Sequence, residues 1–265
     1  MRLRDRLTRR LSILALTAAL TLGGLPAHSI PNDVSLAAGY CRQFSDSIKL
    51  SDDTTILCFD GDIRRDLDVE QFRRLGQNGL AVVRSSGGYL ILAIIIANIL
   101  MEKNATVIIY DYCLSACANF LFVATDRTYV LKNTIVAWHG GPTKSYCSEA
   151  ILKEASPSAA PHDAYCGALA FVATFYRRRG LDDRFVYYPQ TPHTKNMLHL
   201  LTREGFNFRD ASGRNRVFWM WNPINHRNYF SGRIAYESYP NDQSEVNSIV
   251  ERFRLGVRVI YDPRE

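Results

Sequence analysis

The segment Leu80–Trp138 most constrains the fold, because four apolar runs of strand length alternate there with two of helix length. Leu80–Arg84 is short and apolar and stops at Ser85-Ser86-Gly87-Gly88. Tyr89–Lys103 is apolar nearly all round, which fits a buried helix. Thr106–Asp111 is the next strand, Cys113–Ser115 a tight connection and Ala116–Ala124 a helix of small apolar residues. Thr128–Leu131 and Ile135–Trp138 are strands on either side of a Lys132-Asn133-Thr134 turn. Strand and helix in this order, with short connections, call for right-handed crossovers and a largely parallel sheet covered by helices on at least one face. The expected class is α/β.

The flanks are weaker in signal. Residues 30–52 read as a polar lead-in to a strand at Thr54–Phe59, closed by Asp60-Gly61-Asp62, and Val69–Leu75 reads as a short helix. Residues 144–162 are polar and loop-like, and Tyr165–Arg179 is a helix stopped by Gly180. Met197–Glu204 is a further helix, followed by strands at Arg216–Trp221 and Tyr229–Tyr236 around Asn222-Pro223-Ile224-Asn225. Val246–Arg254 and Val257–Tyr261 are the last helix and strand. With no linker or repeat in view, residues 30–265 are expected to form one domain. The aromatic run Phe218–Trp221 either covers the sheet as part of a hairpin or lines a groove.

Residues 1–29 carry a different message. Five arginines precede an apolar run, Leu11–Leu25, and Pro26-Ala27-His28-Ser29 places small residues after it. A basic start, a short apolar centre and a small-residue end describe a secretory signal peptide. The alternative is a retained anchor, but a stretch of 15 residues falls short of the ~20 that span a bilayer. The segment also holds much of the charge. Its five arginines and one aspartate amount to +4 of the chain's +6, leaving +2 beyond it. No stripe of Lys or Arg interleaved with aromatics remains, which argues against nucleic acid as a partner.

All six cysteines lie beyond residue 29. An even number entering an oxidising compartment implies disulfides, and an exported location, periplasmic or secreted, is expected. The nearest neighbours in sequence are Cys41 with Cys58, Cys113 with Cys117, and Cys147 with Cys166, one of several connectivities that six cysteines allow. Buried thiols are the alternative. No Cys-x-x-Cys pair or His-x-x-x-His spacing suggests a metal, and nothing calls for a cofactor.

Three local features carry chemistry. Gly87-Gly88 follows a buried strand and precedes a helix, where bare backbone N–H groups can face a substrate oxygen. Ser115 stands at a strand-to-helix turn, so its hydroxyl is either an N-cap or a group backed by the first N–H groups and the positive end of a helix. His139 ends a strand just before Gly140-Gly141-Pro142, where it is either a structural histidine or a base reaching into a cleft. A parallel sheet brings strand ends to one edge, the edge at which such folds bind ligands. A hairpin of the last two strands would bring His139 there too.

These residues resemble a known family. Ser85-Ser86-Gly87-Gly88 is similar to the small-residue-Gly-Gly oxyanion loop of Clp/crotonase-fold serine peptidases. Cys113-Leu114-Ser115-Ala116-Cys117-Ala118 resembles their nucleophile turn, and Trp138-His139-Gly140 their hairpin histidine. The separations of 27 residues from Gly88 to Ser115 and 24 from Ser115 to His139 are also similar. The likeness is greatest to exported bacterial Clp-fold proteins with a Cys-x-Ser-Ala-Cys turn, and it covers about residues 52–141.

The resemblance implies a Clp/crotonase-like fold, a mainly parallel sheet of ββα units with helices packed on it. It implies a serine hydrolase acting on a peptide or protein, with Ser115 as nucleophile, His139 as general base, and Gly87, Gly88 and Ala116 around an oxyanion hole. Homo-oligomers occur in such families. The family's orienting aspartate has no counterpart near Thr191–Asn196; Asp182, Asp183 and Glu204 are substitutes, with Asp183 the leading candidate for the third member. A Ser–Lys dyad would draw on Lys132 or Lys144. The rival reading is a non-catalytic Clp-fold module that binds or builds part of the cell envelope. Acyl-CoA chemistry of the crotonase type fits poorly outside the cytoplasm. A membrane would be a partner only through a retained anchor.

Overall fold

The computed structural model describes residues 31–139, 161–182, 203, 216–221, 230 and 233–262, without the side chains of 161–165. In chain order its elements begin with α1 (Asn32–Cys41), β1 (Ile48–Leu50), β2 (Ile56–Asp60), α2 (Glu70–Arg74), β3 (Leu80–Ser85), α3 (Leu90–Glu102) and β4 (Thr106–Leu114). A π-helical segment, Cys117–Leu121, leads to β5 (Thr128–Val130) and β6 (Ile135–Ala137). The remainder comprises α4 (Pro161–Arg179), β7 (Val217–Trp221), β8 (Ile234–Tyr236), α5 (Gln243–Arg252) and β9 (Arg258–Asp262).

Seven strands form one mixed, mostly parallel sheet in the order β1-β2-β3-β4-β5-β8, with β6 also paired to β4. Only β1 runs antiparallel to its neighbour. The molecule is thus α/β, as the alternation from Leu80 onward requires. The long strand β4 serves two partners. Val107–Ile109 pairs with β5, and Tyr112–Leu114 pairs with β6. Between those halves Asp111 takes a left-handed φ of 60°, and the register against β3 shifts between Val83 and Ser85. The expected β5–β6 hairpin is therefore wrong. Both strands lie parallel to β4, end to end along it.

A second correction concerns the aromatic strand. The sequence suggests a hairpin of Arg216–Trp221 with Tyr229–Tyr236, but β7 pairs in parallel with β9 in a separate two-stranded sheet, while β8 joins β5. The two sheets meet where Trp138 and Trp219 exchange backbone hydrogen bonds of 2.8 and 2.6 Å.

Alternation along the parallel strands sends successive side chains to opposite faces. Leu57, Phe59, Ala81, Val83, Val107 and Ile109 join the core beneath α3 and α4, while Cys58, Val82, Ile108 and Tyr110 join a smaller core beneath α1. Helix α1 occupies the stretch that reads as a polar lead-in. Its buried Val34, Ala37, Ala38 and Cys41 follow the helical spacing that lays one stripe on a sheet. Cys41 is bonded to Cys58 of β2, which ties that helix down. The helix Met197–Glu204 lies outside the described residues apart from Arg203, as do residues 1–30 and the loop 144–160.

Candidate active site

Register alone carries the three features to one place. Ser85, Cys113 and Val136 are aligned across β3, β4 and β6. Two residues further on, all at the C-terminal edge, stand Gly87, Ser115 and Trp138, with His139 next in line. The structure brings the expected pair into contact: Ser115 Oγ and His139 Nε2 are 2.6 Å apart.

The turn that presents Ser115 is tightly constrained. Its φ of 55° lies in the left-handed region, where a non-glycine residue persists only if its surroundings hold it. Three restraints do so here. Ser115 N–H donates to Ala137 O at 3.1 Å, Ser115 O accepts from Asn119 N–H at 2.9 Å, and the Cys113–Cys117 disulfide spans the turn. Cys113 and Cys117 are fully buried. The helix expected at Ala116–Ala124 is corrected to a π-helical segment over Cys117–Leu121, with Phe122 N–H bonded back to Cys117 O at 3.0 Å. A segment this short supplies little macrodipole, so any oxyanion stabilisation rests on individual N–H groups. Segments of this kind recur at functional sites.

The glycines divide their labour. Gly87 N–H donates to the buried Ser85 Oγ at 3.1 Å, so that amide does not face the cleft as the sequence suggests. What Gly87 provides is closeness. A Cβ there would stand 2.5 Å from Leu114 O, 2.6 Å from Ser115 Cβ and 2.7 Å from Ala116 N. Gly88 is different. Ile63 bonds to Gly87 O and Tyr89 N, both at 2.7 Å, on either side of it. In a parallel bridge of this kind the intervening N–H points the other way, toward the β4 side. A Cβ on Gly88 would meet Ile63 O at 2.4 Å. Among the described residues, neither Gly88 N–H nor Ala116 N–H has a backbone acceptor outside regular elements; the latter is one of the first-turn donors a helix leaves unpaired.

His139 extends from β6 and is half-buried, its ring edge-on to Phe218 at 5.2 Å. Beneath it Trp138 is fully buried, stacked on Trp221 at 5.1 Å. The aromatic strand is thus mainly packing, with all five residues of β7 buried, although Phe218 does border the cleft. Of the carboxylates weighed for a third member, Asp183 and Glu204 lie outside the described residues, and Asp182 does not border the cleft. Lys132 is exposed and does not border the cleft, and Lys144 lies outside the described residues.

A cleft of about 830 Å³ opens over Ser115 and His139. Its walls include residues that sequence reasoning missed: Asp62, Arg64, Tyr112, Arg216, Phe253 and Arg254. Asp62 accepts a hydrogen bond from Ser86 Oγ, which fixes the loop before the glycines. Its position after β2 is the one available signal, since a parallel sheet gathers residues from the ends of its strands. Burial pushes the phenol of Tyr112 above its ordinary range.

Beside the site, on the α1 face, Arg84 bridges Asp60 and Asp111, the latter at 2.8 Å, and lies over the ring of Tyr110 at 5.1 Å. Hydrogen bonding to Asp60 raises the guanidinium further above its ordinary value, and burial pushes the Tyr110 phenol up to about 12. The cluster locks together the ends of β2, β3 and β4 that carry the glycine and serine turns. On the other face, Arg179 of α4 holds Val123 O at 3.0 Å and Asp126 at 2.7 Å, seating the helix behind the segment that follows Ser115. That hydrogen bond holds the Asp126 carboxyl below its ordinary value.

The cysteine reading stands in part. Cys41–Cys58 and Cys113–Cys117 are bonded, Cys166 is in a disulfide, and Cys147 lies outside the described residues. Two disulfides within the described residues are compatible with an exported protein. No group of His, Cys, Asp and Glu among the described residues could hold a metal ion. No described helix is long and apolar enough to cross a membrane. No protein-family model matches this chain, and no curated protein is significantly similar to it.

Proposed function

We propose that this chain is an exported serine hydrolase with a Clp/crotonase-like fold, acting on peptide bonds through an acyl-enzyme. The observation that carries the reading is the 2.6 Å approach of Ser115 Oγ to His139 Nε2, made from a left-handed turn. A nucleophile within hydrogen-bond reach of a base is the signature of this chemistry. In the tautomer with Nε2 unprotonated, Ser115 Oγ–H donates to it. As Oγ attacks the scissile carbonyl carbon, that proton passes to Nε2, and the C=O electron pair moves onto oxygen. Gly88 N–H and Ala116 N–H receive the oxyanion. Collapse expels the amine, which takes the proton from Nε2, and a water molecule repeats the sequence to release the acid. Loss of one oxyanion donor costs on the order of 10²–10³ in turnover.

Export is supported by the basic, then apolar, amino-terminal segment and by the disulfides. The disulfide across Cys113 and Cys117 leaves Ser115 as the nucleophile of the turn, because neither sulfur is a thiolate.

Labelling with a fluorophosphonate tests the reading. Wild-type protein is expected to react, Ser115→Ala not at all, and His139→Ala on the order of 10²-fold more slowly or worse, as loss of a general base implies. Absence of labelling in folded wild type, or equal labelling of all three, would favour the non-catalytic binding module.

A further inference from the structure

Two non-glycine residues lining the cleft have left-handed backbones: Ser115, and Arg254 with φ 49°. Among the described residues seven non-glycines take such a φ; the other six are Thr, Asn, Asp or Ser, and Arg254 alone has a long side chain. It sits two residues beyond α5, the position where helices commonly place glycine. Gly256 follows two residues later with φ 64°. An arginine kept where glycine would be less strained points to a use for the side chain.

The surroundings indicate the use. Arg254 is exposed, and its guanidinium has no partner among the described residues. Arg216 braces the turn that carries it, donating from Nε to Gly256 O at 3.1 Å. Arg64, also on the wall, pairs with Asp66 at 3.0 Å. With Arg64 offset by Asp66, the described wall holds Arg216 and Arg254 against one carboxylate, Asp62, which already accepts from Ser86. Phe218, which touches the His139 ring, and Phe253 add apolar surface to the same cleft. The chain outside residues 1–29 is only +2, so this concentration of positive charge is local.

We propose that the cleft selects peptides carrying a carboxylate near the scissile bond, with Arg254 as the residue that reads the charge. The proposal deepens the hydrolase reading and rests on it for the direction of the substrate. The carboxylate can come from an acidic side chain or from a chain end.

Binding to the full chain carrying Ser115→Ala tests it without turnover. Three rhodamine-labelled peptides of one sequence serve as probes: a glutamate with an amidated end, a glutamine with an amidated end, and a glutamine with a free end. One or both carboxylate-bearing peptides should bind tighter than the neutral one by on the order of fivefold, as a single exposed charge pair allows. The ratio should shrink in high salt. Which charged peptide gains tells side chain from chain end. Adding Arg254→Lys should keep most of the ratio. Adding Arg254→Gly should bring it close to one, while thermal unfolding stays level or rises because glycine suits the backbone there. A structural role alone would move the unfolding temperature and leave the ratio. Equal affinities, no binding of any probe, or a ratio that survives Arg254→Gly would overturn the proposal. Phosphonate labelling of the wild type is scored separately, so the hydrolase reading and the charge preference can fail independently.

Discussion

At the scale of single residues, the site depends on atoms that are missing as much as on those present. Gly87 lets its loop lie against Leu114, Ser115 and Ala116, and a methyl group there would stand within 2.7 Å of an atom of each, two of them backbone. Gly87→Ala is therefore expected to slow phosphonate labelling on the order of 10²-fold or more, comparable to losing an oxyanion donor, while leaving the far-UV circular dichroism of the fold intact. Labelling at the wild-type rate would show that the loop does not serve the serine. Ser85→Ala should act differently. It strands the buried Gly87 N–H, at a stability cost of roughly 1–3 kcal/mol, measurable as a lower denaturant midpoint. Ser115, His139 and the glycines were legible because each combines a reactive or permissive residue with a turn at a strand end. Arg254 was not, since nothing in Phe253-Arg254-Leu255-Gly256 reveals that the turn between α5 and β9 borders the same cleft as the residues that follow β3 and β4.

At the scale of elements, the alternating run from Leu80 to Trp138 was legible because buried parallel strands leave short, bounded apolar segments. Pairing was not. Sequence distance favours hairpins for β5 with β6 and for β7 with β8, whereas β4 is long enough to take β5 and β6 one after the other, and β9 supplies the partner of β7. Helix α1 was not legible because its four buried positions include two alanines and the apolar Leu36 between them is exposed, which blurs the stripe. The Cys113–Cys117 disulfide belongs to this scale as well. It spans the turn that carries Ser115, and we expect Cys113→Ala/Cys117→Ala to lower the labelling rate far more than it lowers the melting temperature. A rate that stays level would mean that hydrogen bonds to Ala137 and Asn119 suffice to hold Ser115.

Across the whole molecule, the sheet edge is held from both faces, by α1 and the Arg84 cluster on one side and by α3 and α4 on the other. The Cys41–Cys58 disulfide closes a 17-residue separation, and chain-entropy reasoning assigns such a loop about 3 kcal/mol. Cys41→Ala/Cys58→Ala should lose stability of that order in chemical denaturation. The buried phenol of Tyr110 sets a pH limit. Its folded value, about 12, lies above the ordinary 10.0, so folded and unfolded chains are equally neutral there at lower pH. As pH climbs past the ordinary value the unfolded chain ionises first, and stability is lost toward the folded value. Between pH ~9 and pH ~11 the denaturant midpoint should fall more steeply in wild type than in Tyr110→Phe; matching slopes would contradict this.

The central claim is that Ser115 is the nucleophile, and the position of the covalent adduct tests it most directly. Folded wild-type protein treated with a fluorophosphonate, digested and sequenced by tandem mass spectrometry, should carry one phosphonyl group, on Ser115, and none when the protein is unfolded before treatment. An adduct on Ser86, on a tyrosine, or on no residue of the folded protein would contradict the account.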